Sequence, residues 1–268
     1  MMIEQFARRR PETAASSWPY TVSSAVRSSE GGDRCGDMIA YRSLEDGTFA
    51  VVVVDVAGRG NAWRPLAYYV ATNLLGLLVL HCRLDRAACI ADRDFRHEFT
   101  DTPAEFVAVF AALLDPDGRR MRYFSAGHET ALVIALDRSH RQLGATGPAF
   151  GVETKPRHSA TSVRFGPGDD LVVVTDGVTD ARDERGVPFG SSGVVRAALR
   201  AKAAGTDAAR SLIDDATQYA VFPDDRAAVV ISSPKHDVFA RPSATLHVDP
   251  IPSSCAASSI ATLGHKGI

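Results

Sequence analysis

Little in this chain signals a disulfide scaffold, a membrane span or a nucleic-acid surface. Its four cysteines, Cys35, Cys82, Cys89 and Cys255, are scattered without paired spacing. That argues against a disulfide framework or a CxxC site and suits a reducing cytoplasm. An excess of charge of one sign is also lacking. The 30 basic and 32 acidic residues leave a formal net charge of -2, which exerts no general pull toward nucleic acid or a membrane surface. The longest apolar run, Leu66 to Leu80, is interrupted by Thr72 and Asn73 and falls short of the roughly 20 residues that cross a bilayer. It reads as a buried helix. No apolar stretch follows Arg8, Arg9 and Arg10 as a secretory signal requires, and no internal repeat is visible.

What is present suits one sizeable domain. The chain has 268 residues, 45% of them hydrophobic, enough for a substantial core. Composition divides it into a loose, polar N-terminal tail over 1–17, a domain over 18–233, and a tail over 234–268. This last stretch is rich in Ser, Ala, Pro and Thr without periodicity and is expected to be poorly ordered. The domain is organised around Ala50 to Gly60, AVVVVDVAGRG, where the β-branched run Val51 to Val54 ends in Asp55 and a turn with Gly58 and Gly60 follows. A strand of this kind is buried on both faces, so Asp55 arrives at the rim of a core. The design recurs at Leu171 to Gly177, LVVVTDG, with Asp176 after the strand. Carboxylates held at rigid strand ends suit a hard divalent cation, which prefers oxygen ligands in fixed geometry.

Local patterning predicts a strand over Trp18 to Arg27 and a hairpin of Met38 to Leu44 with Thr48 to Asp55 around Asp46-Gly47. Antiparallel neighbours then set Asp37 beside Asp55. A helix carrying Pro65 in its first turn follows, with Leu66, Val70, Leu74, Leu77 and Leu78 facing inward. Arg83 to Pro103 is charged and irregular. Next come a meander of three strands, Phe106 to Leu114, Met121 to Ala126 and Thr130 to Leu136, and a hairpin of Thr161 to Phe165 with Leu171 to Asp176. His128 is expected as a polar turn residue inside the meander, with a general acid for the leaving serine alkoxide as the alternative. Helices near Ser191 to Ala204 and Thr206 to Ala220 precede a last strand, Ala227 to Ser232. Asp224 and Asp225 stand at the start of that strand, and if it runs antiparallel to the two valine-rich strands in one sheet, all the carboxylates meet at one edge.

Five blocks in order carry a resemblance to a known family: Cys35 to Gly60, Phe124 to Ile134 (FSAGHETALVI), Thr146 to Val152 (TGPAFGV), Gly168 to Gly190, and Asp224 to Ile231 (DDRAAVVI). Over roughly residues 20 to 233 the chain resembles the SpoIIE-like branch of the metal-dependent type 2C protein phosphatases. Its Cys35-Gly36-Asp37 opening and lack of a sensor domain are similar to the single-domain RsbX-type members. Gly31-Gly32-Asp33 mimics the same opening but would make the following hairpin too long.

The resemblance implies an α+β fold, a four-layer α-β-β-α sandwich of two packed antiparallel sheets flanked by helices. It also implies two Mn²⁺ or Mg²⁺ ions. Asp55 would bridge them, the Val56 carbonyl and Asp37 would complete one site, and Asp176 and Asp224 the other, with Asp225 as the alternative to Asp224. Asp37 and Asp55 would position a metal-bridging water whose hydroxide attacks phosphoserine or phosphothreonine in line. The implied substrate is a phosphorylated regulatory protein of STAS-domain or anti-sigma-antagonist type in a bacterial partner-switching or stressosome pathway, in the cytoplasm, with no nucleic acid and no membrane. Two departures stand out: Val54 replaces a usual glycine and Arg59 the usual histidine of the following turn. The alternative is a catalytically silent pseudophosphatase serving as a partner-binding module. A two-metal phosphodiesterase would call for a basic groove, which the sequence does not display. Acids at strand ends are commonly plain turn formers, but four arriving together after apolar strands favour a metal site.

Overall fold

The computed structural model describes residues 20–29, 35–57, 63–80, 83–99, 106–219 and 224–234, together with the backbone of 246–248. Asp33, Arg34, Gly58, Arg59, Gly60 and the arginine triplet lie outside the described residues. After β1 (Thr21–Arg27), the Asp46-Gly47 turn joins β2 (Met38–Ser43) to β3 (Phe49–Val56). The turn closes through a hydrogen bond from Leu44 N to Thr48 O of 2.8 Å, and the Asp46 carboxylate accepts from Thr48 N at 2.9 Å. In β3 the run Val51 to Val54 is fully buried. Val52 and Val54 face a helical layer while Val51 and Val53 face the opposite sheet, so both faces of the strand contribute, on the order of 1.5–3 kcal/mol per valine.

Helix α1 (Arg64–Val79) carries its proline in the first turn, where the missing N–H is no loss. It is followed by α2 (Leu84–Glu98), a helix in the stretch that reads as irregular from the sequence. Its buried face is made of Leu84, Ala87, Ala88, Ala91 and Phe95 together with Asp92, a stripe at helical spacing set among charged residues. Asp92 is satisfied internally: its carboxylate accepts from Gly151 N at 3.0 Å and lies 2.8 Å from His158 Nε2.

The next strands depart from the expected meander. β4 (Val107–Leu114) and β5 (Arg120–Ala126) pair with each other, but β6 (Thr130–Ile134) lies in the other sheet, beside β7 (His140–Gln142). Likewise β8 (Thr161–Arg164) pairs with β5 while β9 (Asp170–Val174) pairs with β6, so the predicted hairpin is a crossing between sheets. After β9 come the short α3 (Asp176–Thr179), α4 (Gly190–Ala204), α5 (Ala208–Thr217) and β10 (Arg226–Ser232). β11 (Leu246–Val248), inside the stretch expected to be poorly ordered, pairs with β2.

Two antiparallel sheets result, one ordered β1-β10-β9-β6-β7 and the other β11-β2-β3-β4-β5-β8. One core fills the space between them, a second packs α1 and α2 on the six-stranded sheet, and a third packs α4 and α5 on the five-stranded sheet. This is the α-β-β-α sandwich. One detail differs from the expectation: β3 is not in the same sheet as β9 and β10, so the acids meet across the gap between two sheets and not along one edge.

Candidate active site

Strand register delivers the first two carboxylates. Met38 lies opposite Val54, so Asp37 enters its strand beside Asp55, which in turn faces Ala108 of β4. Val56, whose carbonyl the resemblance assigns to an ion, ends β3, buried and paired with Val107. The five-stranded sheet supplies the others. β9 ends at Val174, which lies opposite Ala228 of β10. Asp176 therefore starts α3 next to the point where Asp224 and Asp225 lead into β10. Gly177 makes that approach possible, because a Cβ there would overlap the Asp225 carbonyl oxygen and stand 3.2 Å from the Asp224 Cβ. The turn is fastened by Arg226, whose buried guanidinium Nε donates to Gly177 O at 3.0 Å.

Thr175 ties the two halves together. Its hydroxyl donates to an Asp37 carboxylate oxygen at 2.8 Å and accepts from Ala227 N at 2.8 Å. Asp225 has a different job from its neighbour. One carboxylate oxygen accepts from Ser29 N and Ser29 Oγ at 2.8 and 2.9 Å, and the other accepts from Gly36 N at 2.7 Å. It is a buried clamp on the chain around Ser29 and Gly36, whereas Asp224 is half-buried and accepts from Asp225 N at 2.9 Å.

The electrostatics of the group are those of acids crowded together. Burial, then the charges of Asp176 and Asp224, push Asp55 up to about 7, against hydrogen bonds from the Asp176 backbone and the Asp37 carboxyl. Asp176 rises to about 6 through burial, then Asp224 and Asp180, with Glu129 adding to the effect. Asp37 is held well above the usual carboxylate range by burial, and next by Asp55. Such mutual elevation marks charge that calls for a counter-ion.

Asp55 and Asp176 line a cavity of about 280 Å³ together with Phe106, Ala108, His128 and Glu129. No Lys or Arg lines it among the described residues. A larger hollow of about 630 Å³ near Arg141 and Arg164 includes none of the four acids. In donor type and uncompensated charge the cluster fits a hard divalent cation. Among the described residues, however, no three His, Cys, Asp or Glu side chains stand together as a closed ligand shell.

Thr175 and Glu129 go unnoticed at the level of sequence. Thr175 has a visible signal, a hydroxyl between a valine run and an Asp-Gly pair. Glu129 and the buried His128 follow Gly127 at what looks like an ordinary hairpin. His128 is buried, which overturns its expected place as a polar turn residue, and burial lowers its imidazole to about 4.

Comparison with known proteins agrees with this architecture. Phosphoserine phosphatase RsbP of Bacillus subtilis is 25% identical over 155 residues, covering 54% of this chain and 36% of that protein. The type 2C phosphatase domain of SpoIIE from the same organism superposes with a TM-score of 0.67 at 16% identity, covering 81% of this chain and 64% of that one. RsbX, solved in complex with magnesium, gives 0.60 at 10% identity over 80% of this chain and 94% of its own. The chain spans well under two thirds of the length of the curated relatives it matches. No helix among the described residues is long and apolar enough to cross a membrane. The profile described as Stage II sporulation protein E (SpoIIE) matches residues 45–234, well over half of the sequence, and the chain belongs to that family.

Proposed function

We propose that this chain is a metal-dependent protein serine/threonine phosphatase acting on a phosphorylated regulatory protein of a partner-switching pathway in the cytoplasm. The observation that supports this reading is the approach of Asp37, Asp55, Asp176 and Asp224 to one another where the two sheets meet, Asp55 and Asp176 lining one cavity, with three of the four carboxyls raised by burial and by neighbouring acids. The name of RsbP supports phosphoserine as the bond to be cleaved, and the magnesium in RsbX supports the class of cofactor. Asp55, with Asp37 and the Val56 carbonyl on one side and Asp176 and Asp224 on the other, would hold two Mg²⁺ or Mn²⁺ ions. When bound, such ions supply an activated water and neutralise charge on a phosphoryl group. The chain's own residues fix the donors: Thr175 orients Asp37, Gly177 lets Asp224 approach Asp176, and Arg226 secures the turn between them. A STAS-domain or anti-sigma-antagonist protein is the partner class this reading implies.

The test is hydrolysis of a phosphoserine peptide, p-nitrophenyl phosphate and a phosphodiester, with Mn²⁺, with Mg²⁺ and with chelator, alongside Asp55→Asn. Metal-dependent turnover of the monoesters that is lost in the variant is the expected result. A folded wild type that binds no metal and cleaves none of these, nor a phosphorylated STAS-type protein, would replace the reading with a partner-binding pseudophosphatase.

A further inference from the structure

His128 is out of keeping with a hydrophobic core position. It sits where the chain crosses from the six-stranded sheet to the five-stranded one, 5% exposed, its ring centroid 6.0 Å from that of Phe110. Neither ring nitrogen has a hydrogen-bond partner. A neutral imidazole has one N–H to donate and one lone pair to offer, and each buried polar atom left unpaired costs on the order of 1–3 kcal/mol. A leucine or phenylalanine would fill such a place without that penalty.

The backbone holds the residue in position. Gly127 adopts φ +69°, and a Cβ on it would come within 2.6 Å of Ala149 Cβ, so only glycine allows this crossing. The Ser125 hydroxyl donates to the His128 carbonyl at 2.8 Å and fixes the turn from the other side. His128 is thereby built into the wall of the cavity that Asp55, Glu129 and Asp176 also line. Those three side chains accept hydrogen bonds when ionised. Among the described lining residues, His128 is the one side chain that carries a nitrogen donor. Both ring nitrogens are closed to solvent, so the ring has to turn for its N–H to meet the acceptor oxygens that a phosphomonoester brings into this space.

We infer that His128 is a catalytic residue that donates a hydrogen bond from its imidazole N–H to an oxygen of the phosphoryl group bound in this cavity. The inference rests on the proposed phosphatase activity for the identity of the ligand, and on the cavity and the unpartnered ring for the contact itself. The imidazole acts as an oriented dipole that holds the phosphoryl group against the carboxylate cluster.

Two variants and one spectroscopic measurement test this. His128→Phe retains the ring volume and removes both orphaned nitrogens, so its melting temperature should equal or exceed that of wild type. Its turnover of p-nitrophenyl phosphate and of a phosphoserine peptide should fall on the order of 100- to 1,000-fold, as when one donor to a developing oxyanion is deleted. His128→Gln restores an N–H and should recover part of that loss. In the full wild-type chain loaded with Mg²⁺, the His128 imidazole ¹⁵N resonances should move when orthophosphate is added. Turnover within twofold of wild type in the phenylalanine variant would overturn the inference. So would imidazole signals that respond to Mg²⁺ alone and stay fixed on adding orthophosphate, which would point to an ordered water as the partner. If no phosphomonoester is turned over yet the resonances follow orthophosphate, the contact stands and the phosphatase reading falls.

Discussion

Thr175 reaches across the gap between the two sheets to donate a 2.8 Å hydrogen bond to Asp37, while the same oxygen accepts from the backbone N–H of Ala227. One buried hydroxyl thus joins the entry of β2 to the end of β9 and the start of β10. The four acids come from separate chain segments, so their spacing depends on such ties. Thr175→Val preserves shape and removes both bonds. It should lower stability by about 1–3 kcal/mol and raise the Mg²⁺ concentration needed for thermal stabilisation, with Thr175→Ser restoring both. Urea unfolding and melting curves across a Mg²⁺ series read the two effects, and a valine variant unchanged in both would remove Thr175 from the site.

Crowded acids also set how stability depends on pH without metal. Asp55 and Asp176 are raised in the fold from an ordinary value of 3.8 to about 7 and about 6. A carboxyl raised by folding contributes stability that is fully present below its unfolded value and is lost as pH rises through the folded one. In chelator the protein should therefore weaken between pH 5 and pH 8. Divalent cation should return that stability at pH 8 more than at pH 5, because it binds the ionised forms. Asp55→Asn should flatten part of the decline. Denaturant midpoints measured with and without chelator decide this; a level profile in chelator would contradict it.

Much of this arrangement is legible from local pattern, and the remainder is hidden for identifiable reasons. The Asp46-Gly47 turn and the distance from Asp37 to Asp55 determine the register of β2 on β3, and the observed pairing of Met38 with Val54 follows. The division of strands between the sheets is not legible. β6 and β9 are buried along their whole length, so no polar face announces which sheet they join, and Gly127 to Glu129 resembles a hairpin turn although the chain changes sheets there. α2 does carry a stripe at helical spacing, Leu84, Ala87, Ala88, Ala91 and Phe95, which the many charged residues between its members obscure. The four acids can be picked out by their positions after apolar strands. Thr175 and Gly177 cannot, because their importance lies in contacts between segments far apart in sequence.

Gly177 illustrates the last point. In the sequence it is one more glycine after an aspartate, but its missing Cβ is the space into which the Asp225 carbonyl fits. Gly177→Ala sets a methyl group against backbone, which cannot swing aside as a side chain might. A loss on the order of 1–3 kcal/mol is expected, with metal-dependent turnover lost because Asp224 is pushed from Asp176. Gly76, inside α1 with open space around its Cβ direction, is the matched control: Gly76→Ala should be neutral or stabilising by up to about 1 kcal/mol. Equal behaviour of the two alanine variants in denaturation would refute the close-approach account.

The adjacent acids Asp224 and Asp225 offer the sharpest test of the proposed division between holding a cation and holding the fold. Asp225 spends both carboxylate oxygens on Ser29 and Gly36, so Asp225→Ala breaks three bonds to a buried charge and should destabilise the protein by about 3 kcal/mol or more. Asp224 is half-buried, and its charge raises both Asp55 and Asp176. Asp224→Asn removes that repulsion. In chelator at pH 8 this variant should be at least as stable as wild type, yet bind divalent metal more weakly and lose most turnover. Unfolding curves together with metal titration by calorimetry separate the two residues. The reverse pattern, with Asp225→Ala stable and metal-deficient and Asp224→Asn unstable, would transfer the ligand role to Asp225 and would mean that the clamp on Gly36 opens when metal binds.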